Sequence, residues 1–318
     1  MLAVILKDFG GVENLVAEEI PEPTELKSDE VLVQVRGIGI DQIDVKTREG
    51  GGMAAKLKEE KPMILGWDLS GVVIKRGEDV KDLRVGDQVF GTIRFPGIGR
   101  TYAEYVVAPA SQLALKPEIL SFAEAAAATQ SPLTAWQALV ETGEVKAGDK
   151  VLIHGASGGV GSFAVQIAKQ WGAYVIGTGS GNHKDFILHL GADEFIDYKT
   201  QRFEEIVSEV DFVLDTVGGE NFVRSLSVLK PEGTIVLLPS DKKEIAAKVA
   251  EAYPDIRYRP MLMHSSGENM KEIARWLNDG RLKVYVSRTF TFRQIPQAHN
   301  YLTAGGHTGK IAVEVAIW

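Results

Sequence analysis

The stretch Val151-Leu152-Ile153-His154-Gly155-Ala156-Ser157-Gly158-Gly159-Val160-Gly161 decides how this chain is read. An apolar run ends in a glycine turn, and Phe163-Ala164-Val165-Gln166-Ile167-Ala168 follows at once as helix. Gly155, Gly158 and Gly161 have the spacing that lets a backbone turn sharply, approach a pyrophosphate and seat a helix on a sheet. The helix start supplies unpaired N–H groups and the positive end of a dipole. A second apolar run, 173–178, follows at the distance expected of a β-α-β unit.

Outward from that loop the texture alternates. Strands are expected at 150–154, 173–178, 193–196, 211–214 and 234–238. Helices are expected at 161–171, 184–190 and 203–207. This rhythm predicts a doubly wound parallel sheet. Before it, Ser121 and Glu124 form a capping box ahead of an Ala-rich helix, 123–129, and a second helix is expected at 134–141. Residues 1–120 read instead as short strands punctuated by Gly, Pro and acidic residues. The tail reads as helix 269–278, strand 288–292, helix 296–302 and strand 310–315. The expected fold is α/β, with a Rossmann domain at 121–267 and a β-rich domain made of 1–120 and 268–318. The run Asp241-Lys242-Lys243-Glu244 reads as a solvated loop and helix start.

The 318 residues carry 35 Lys plus Arg against 43 Asp plus Glu, a net charge of −8. That acidic balance offers no electrostatic footprint for nucleic acid or an anionic membrane, and no apolar run reaches the ~18 residues of a span. There is no cysteine, which removes disulfides, thiolate nucleophiles and cysteine-ligated metal and fits a cytoplasmic setting. His154 reads as a core histidine, and Asp44 with Arg48 as a structural ion pair. Met53, Phe95 and Ile98 read as an apolar wall or as packed loop residues.

Two chemistries compete at the glycine loop. Gly155-Ala156-Ser157-Gly158-Gly159 also fits G-x-S-x-G, so a hydrolase with Ser157, Asp215 and His299 or His307 is an alternative. No His-Gly-Gly segment precedes it, and dinucleotide binding is favoured. NAD sites place a carboxylate about 20 residues past the glycines. Here Thr178, Gly179 and Ser180 occupy that place, with Lys184 beyond, which suits the 2′-phosphate of NADPH.

At this point the chain resembles the zinc-free quinone oxidoreductase branch of the medium-chain dehydrogenase/reductases, with zeta-crystallin and the alkenal/enone oxidoreductases as relatives. The resemblance rests on Asp41-Gln42-Ile43-Asp44-Val45-Lys46, Gly66-Trp67-Asp68-Leu69-Ser70-Gly71, Val85-Gly86-Asp87, Tyr102-Ala103-Glu104-Tyr105, Ser131-Pro132-Leu133-Thr134-Ala135-Trp136, Leu190-Gly191-Ala192-Asp193 and Gly309-Lys310-Ile311. It implies a GroES-like catalytic domain and an NADPH-dependent reductase of quinones or α,β-unsaturated carbonyls. It also implies a homodimer joined near 234–238. A non-catalytic nucleotide-binding homologue and a zinc-free alcohol dehydrogenase are the other readings.

By resemblance Lys46 contacts the cofactor beside the nicotinamide, and Thr134 lies near the nicotinamide amide. Ser157, Gly158, Gly159 and Val160 hold the pyrophosphate. Thr178, Gly179, Ser180, Lys184 and Tyr198 surround the adenosine phosphate, and Leu238, Gly309 and Lys310 line the rest. Lys46 and Asp41 are the catalytic candidates. Negative charge on the substrate oxygen is left to a backbone N–H, Lys46 or a ribose hydroxyl, with water as proton source. Asp41 and Gln42 replace the family's usual Asn and Pro, a departure at the positions on which its substrate-side hydrogen bonding rests. Metal-dependent relatives place ligands where this chain has Asp41, Trp67 and Gln130. Trp cannot ligate zinc and one Asp cannot hold it, so no metal is expected.

Overall fold

Six parallel strands form the sheet that the glycine loop announces. Their spatial order is Glu194–Asp197, Tyr174–Gly179, Lys150–His154, Val210–Asp215, Leu229–Leu237 and Arg257–Pro260. In chain order this is 3-2-1-4-5-6, the doubly wound arrangement whose topological switch lies between its first and fourth strands. Those strands are Lys150–His154 and Val210–Asp215, with His154 and Asp215 in register. Continuous apolar sequence is what such strands need, because helices cover both faces. Leu152, Val213 and Ile235 accordingly sit in one buried cluster with Phe203 and Phe222. The computed structural model describes residues 1–238 and 243–316. Residues 241 and 242 of the charged run lie outside the described residues, and the Lys243–Ala252 helix starts behind them.

The chain divides by its contacts into Met1–Leu133 with His264–Trp318, and Thr134–Met263. The first unit carries a mostly antiparallel sheet, in the order Val286–Thr291, Lys310–Glu314, Glu30–Ile40, Asp68–Arg76, Gln88–Thr92 and Ala114–Leu115. Tyr105–Pro109 also pairs with Glu30–Ile40. Leu2–Leu6 and Leu15–Glu19 make a separate antiparallel pair.

The Ala-rich segment after the Ser121 cap, grouped by sequence with the Rossmann domain, lies in the first unit. Its helix, Phe122–Ala127, puts Ala123 and Ala127 against Ala312. Gly39 permits this close approach: a Cβ there would stand 2.7 Å from the Ala126 carbonyl oxygen. The helix expected at 134–141 begins earlier, as Gln130–Trp136, and continues as a π-helical turn, Gln137–Thr142. The Gln42–Arg48 helix and the Leu15–Glu19 and Arg257–Pro260 strands are additions to the sequence reading. No helix among the described residues is long and apolar enough to cross a membrane.

Candidate active site

In the second unit the glycine turn is built as the spacing requires. Gly155 takes φ +68°, the left-handed region open to glycine. The Thr216 hydroxyl donates to the His154 carbonyl across the adjacent strand at 2.8 Å. Gly158 caps the Gly159–Gln170 helix, and a Cβ on Gly161 would stand 2.8 Å from the Ala156 Cα and collide with the Gly155 carbonyl. The first-turn amides of Gly159, Val160 and Gly161 have no intrahelical acceptor. Together these features form a cradle of backbone donors at the sheet's switch point, which fits a dinucleotide pyrophosphate.

The side chains expected around the adenosine phosphate take different roles. Thr178 is buried, and its Oγ1 meets His154 Nδ1 at 3.0 Å. His154 Nε2 meets Ser225 Oγ at 3.0 Å, so this imidazole is a satisfied core group. Burial holds its pKa down at about 4. Thr178 therefore serves the core through His154. Ser180 donates to Asn182. Gly179 ends its strand, and its carbonyl accepts from the Tyr198 amide at 3.2 Å. Lys184 opens the Lys184–His189 helix and is exposed, as is Tyr198. Leu238 follows the Leu229–Leu237 strand and donates its N–H to the Asp215 carbonyl. Thr134 is buried in the Gln130–Trp136 helix.

Ser157, Asp215 and His299, named in the hydrolase reading, each have partners of their own. Ser157 Oγ meets His183 Nδ1 at 2.9 Å. The Asp215 carboxylate accepts from the Val217 and Gly218 amides and from Asn221, while His299 Nε2 meets the Tyr102 hydroxyl at 2.9 Å. His183, which sequence spacing did not single out, is thus drawn onto the glycine loop.

In the first unit Asp41 caps the Gln42–Arg48 helix, and its N–H donates to Asp44 Oδ2 at 2.8 Å. Lys46 is exposed on the same helix, whereas Asp44, Thr47 and Arg48 are buried. The expected Asp44–Arg48 ion pair is replaced. Arg48 pairs with Glu49 and donates to the Gly10 carbonyl at 2.9 Å, because Asp44 is committed to the helix cap. Burial, reinforced by the Asp41 charge, pushes the Asp44 carboxyl up to about 8.

Lys310, expected to line the cofactor cleft, ion-pairs with Asp41 and is 2% exposed. Its backbone is set by Gly309, at φ +67°, beneath the Tyr285 carbonyl. Ser131 donates to Asp41 at 3.1 Å. Asp68 accepts from the Thr92 hydroxyl at 2.8 Å and the Gln130 amide at 3.3 Å. Trp67 is buried, donates its indole N–H to the Gly97 carbonyl at 2.8 Å, and packs edge-on to Phe95. The three positions compared above with zinc ligands thus hold a lysine-paired carboxylate, a buried indole and a glutamine. Phe95 is a packed loop residue; Met53 and Ile98 are half-buried. Asp68 carried no assigned role in the sequence reading. The available signal was a carboxylate inside the apolar run Ile64-Leu65-Gly66-Trp67-Asp68-Leu69.

Comparisons with known proteins agree with this architecture. A family described as "Alcohol dehydrogenase GroES-like domain" matches residues 27–118, and one described as "Zinc-binding dehydrogenase" matches residues 190–313. The mouse (Mus musculus) protein "NAD(P)H oxidoreductase RTN4IP1, mitochondrial" is 33% identical, over 90% of this chain and 82% of its own length. "NADPH-dependent alkenal/one oxidoreductase, chloroplastic" of Arabidopsis thaliana is 32% identical, over 98% of this chain and 79% of its own length. The solved quinone oxidoreductase of Coxiella burnetii superposes with a TM-score of 0.93 at 37% identity, covering 99% of both chains.

Proposed function

Since the chain belongs to the medium-chain dehydrogenase/reductase superfamily, on its quinone and alkenal oxidoreductase branch, we propose that it is an NAD(P)H-dependent oxidoreductase delivering hydride to quinones or α,β-unsaturated carbonyls. The observation that carries this reading is the backbone-donor cradle at the switch point of the 3-2-1-4-5-6 sheet. A bound nicotinamide supplies the hydride; the chain binds, orients and excludes water.

The amides of Gly159, Val160 and Gly161 bind the pyrophosphate. Ser180, Lys184 and Tyr198 surround the 2′-phosphate, which makes NADPH the preferred cofactor: no carboxylate stands at 178–180 to take a ribose hydroxyl. His183, held on Ser157, joins that group. Lys46, exposed on its helix, contacts the reacting end, and Asp41 acts through Lys310. A conjugated acceptor suits such a site. Its incoming charge spreads over the π system, whereas an isolated carbonyl concentrates charge on one oxygen and calls for a Lewis acid or a strong donor.

The protein is further proposed to be a homodimer. The strand expected at the interface, 234–238, is interior in its sheet, covered by Arg257–Pro260. The edge strand Arg257–Pro260 is therefore the one to pair across a dimer. Comparing NADPH oxidation with a conjugated enone and with its saturated ketone tests the activity. Turnover confined to the saturated ketone, or to oxidation of simple alcohols, overturns it.

A further inference from the structure

Three carboxyls and one ammonium meet inside the first unit. Asp41 stands at the cap of Gln42–Arg48 and Asp44 in its first turn. Asp68 opens the Asp68–Arg76 strand, and Lys310 opens Lys310–Glu314. Asp44, Asp68 and Lys310 are buried. Asp41 Oδ1 receives the Lys310 ammonium and the Ser131 hydroxyl. Asp41 Oδ2 is buried and receives no N–H or hydroxyl donor from any described residue. The adjacent residues Gln130 and Ser131 donate to Asp68 and to Asp41 respectively, which sets the two carboxyls beside one another. Two ionised carboxylates are acceptors only and cannot bond to each other, whereas a carboxylic acid donates once and still accepts.

Asp68 is the member equipped to be the acid. Its oxygens already accept from Thr92 and the Gln130 amide, which leaves its own proton as the donor toward Asp41. Charge balance agrees. With Asp44 pushed up to about 8 by burial and the Asp41 charge, Asp41 and Asp68 alone still outnumber the single ammonium, and Arg48 on the same helix as Asp44 is engaged with Glu49. Buried charge in excess of its counterion is strongly disfavoured. The environment separates the two carboxyls: burial and the Asp41 charge push Asp68 well up, whereas at Asp41 burial is outweighed by Lys310 and the hydrogen bonds it accepts, which hold it down.

We propose that Asp41 and Asp68 hold one proton between them, carried by Asp68, and that this shared-proton pair positions the Lys310 ammonium. Asp68 is thus a positioning residue that acts on Lys310 through Asp41. The proton satisfies the second Asp41 oxygen, keeps Asp41 ionised toward Lys310, and brings the trio Asp41, Asp68 and Lys310 to zero net charge. The kinetic part of the test rests on the reductase reading above; the spectroscopic part needs no substrate.

Asp68→Asn preserves a permanent N–H donor toward Asp41 while giving up the acid and one of the two acceptors that Thr92 and Gln130 use, whereas Asp68→Leu removes the donor and both acceptors. The infrared difference between wild type and Asp68→Asn at neutral pH, both as full chains, is expected to contain a carboxylic-acid C=O band belonging to Asp68. NADPH-dependent enone turnover is expected to fall about tenfold in Asp68→Leu, the equivalent of one charged hydrogen bond, and to be largely rescued in Asp68→Asn. A carboxylate band in place of the acid band overturns the shared proton, whatever the activity and even if Asp68→Leu does not fold. Equal loss in both variants overturns the positioning role. Absence of turnover in wild type, with the acid band present, contradicts the reductase reading and leaves the proton pair supported.

Discussion

Thr178 and Lys184 occupy neighbouring places in the expected phosphate group but face different tasks. Thr178 hydrogen-bonds His154 inside the core, and Lys184 stands exposed at a helix start. Under the proposed function Lys184 is therefore the side chain to discriminate between the two nicotinamide cofactors. A charge-assisted contact to a phosphate is worth roughly 1.5–3 kcal/mol, about 10- to 100-fold in affinity. Lys184→Ala should weaken NADPH by that factor and leave NADH nearly unchanged in binding titrations. Equal losses for both cofactors would remove Lys184 from the 2′-phosphate.

His299 makes a separate prediction at the same scale. Burial, with Arg48 nearby, lowers its pKa to about 3, so the native imidazole is neutral where the unfolded one titrates near ~6.5. A lowered native pKa gives stability that is present above ~6.5 and is lost as pH falls below it. Between pH ~6.5 and ~5 the loss is about 2 kcal/mol. Urea melts of wild type should weaken by about that amount from this residue, and His299→Gln should show the shallower slope. An unchanged slope would show that His299 is protonated in the native state.

Among the elements, the glycine turn is the most exacting. Gly161 lies where a Cβ would strike the Gly155 carbonyl and crowd Ala156, so Gly161→Ala must lift the Gly159–Gln170 helix off the sheet. Overpacking of this kind costs about 1–3 kcal/mol. Thermal melts should fall accordingly and NADPH binding should weaken with them. Retention of both would mean that the helix can shift freely.

This element was legible from sequence because every requirement is local: an apolar strand, three spaced glycines and an apolar helix within 20 residues. The central strands were legible for the same reason, since burial on both faces writes an unbroken apolar run. Arg257–Pro260 was not, because an edge strand needs no such run and this one reads Arg-Tyr-Arg-Pro. The Gln42–Arg48 helix was hidden behind its cap, whose residues were read as site chemistry. The Asp41–Asp68–Lys310 cluster was the least legible: its members are separated by up to 269 positions, and it takes the pairing of both Lys310–Glu314 and Asp68–Arg76 with Glu30–Ile40 to unite them.

On the scale of the whole molecule, the two units divide the work. One carries the backbone donors proposed to take a dinucleotide, and the other holds buried carboxyls, a buried ammonium and the exposed Lys46. If Arg257–Pro260 pairs across a dimer, sedimentation should give twice the mass of one chain. A proline in place of Arg259 should return it to the monomer; a monomeric wild type would contradict the proposal. Direct hydride delivery to a conjugated carbon is the claim on which the functional account turns. The measurement that tests it most directly is turnover of an enone with NADPH deuterated at C4 of the nicotinamide, followed by analysis of the product. The account predicts one deuterium on the β-carbon of a saturated ketone, with the α-hydrogen coming from solvent. Deuterium on the carbonyl carbon of an allylic alcohol would contradict it.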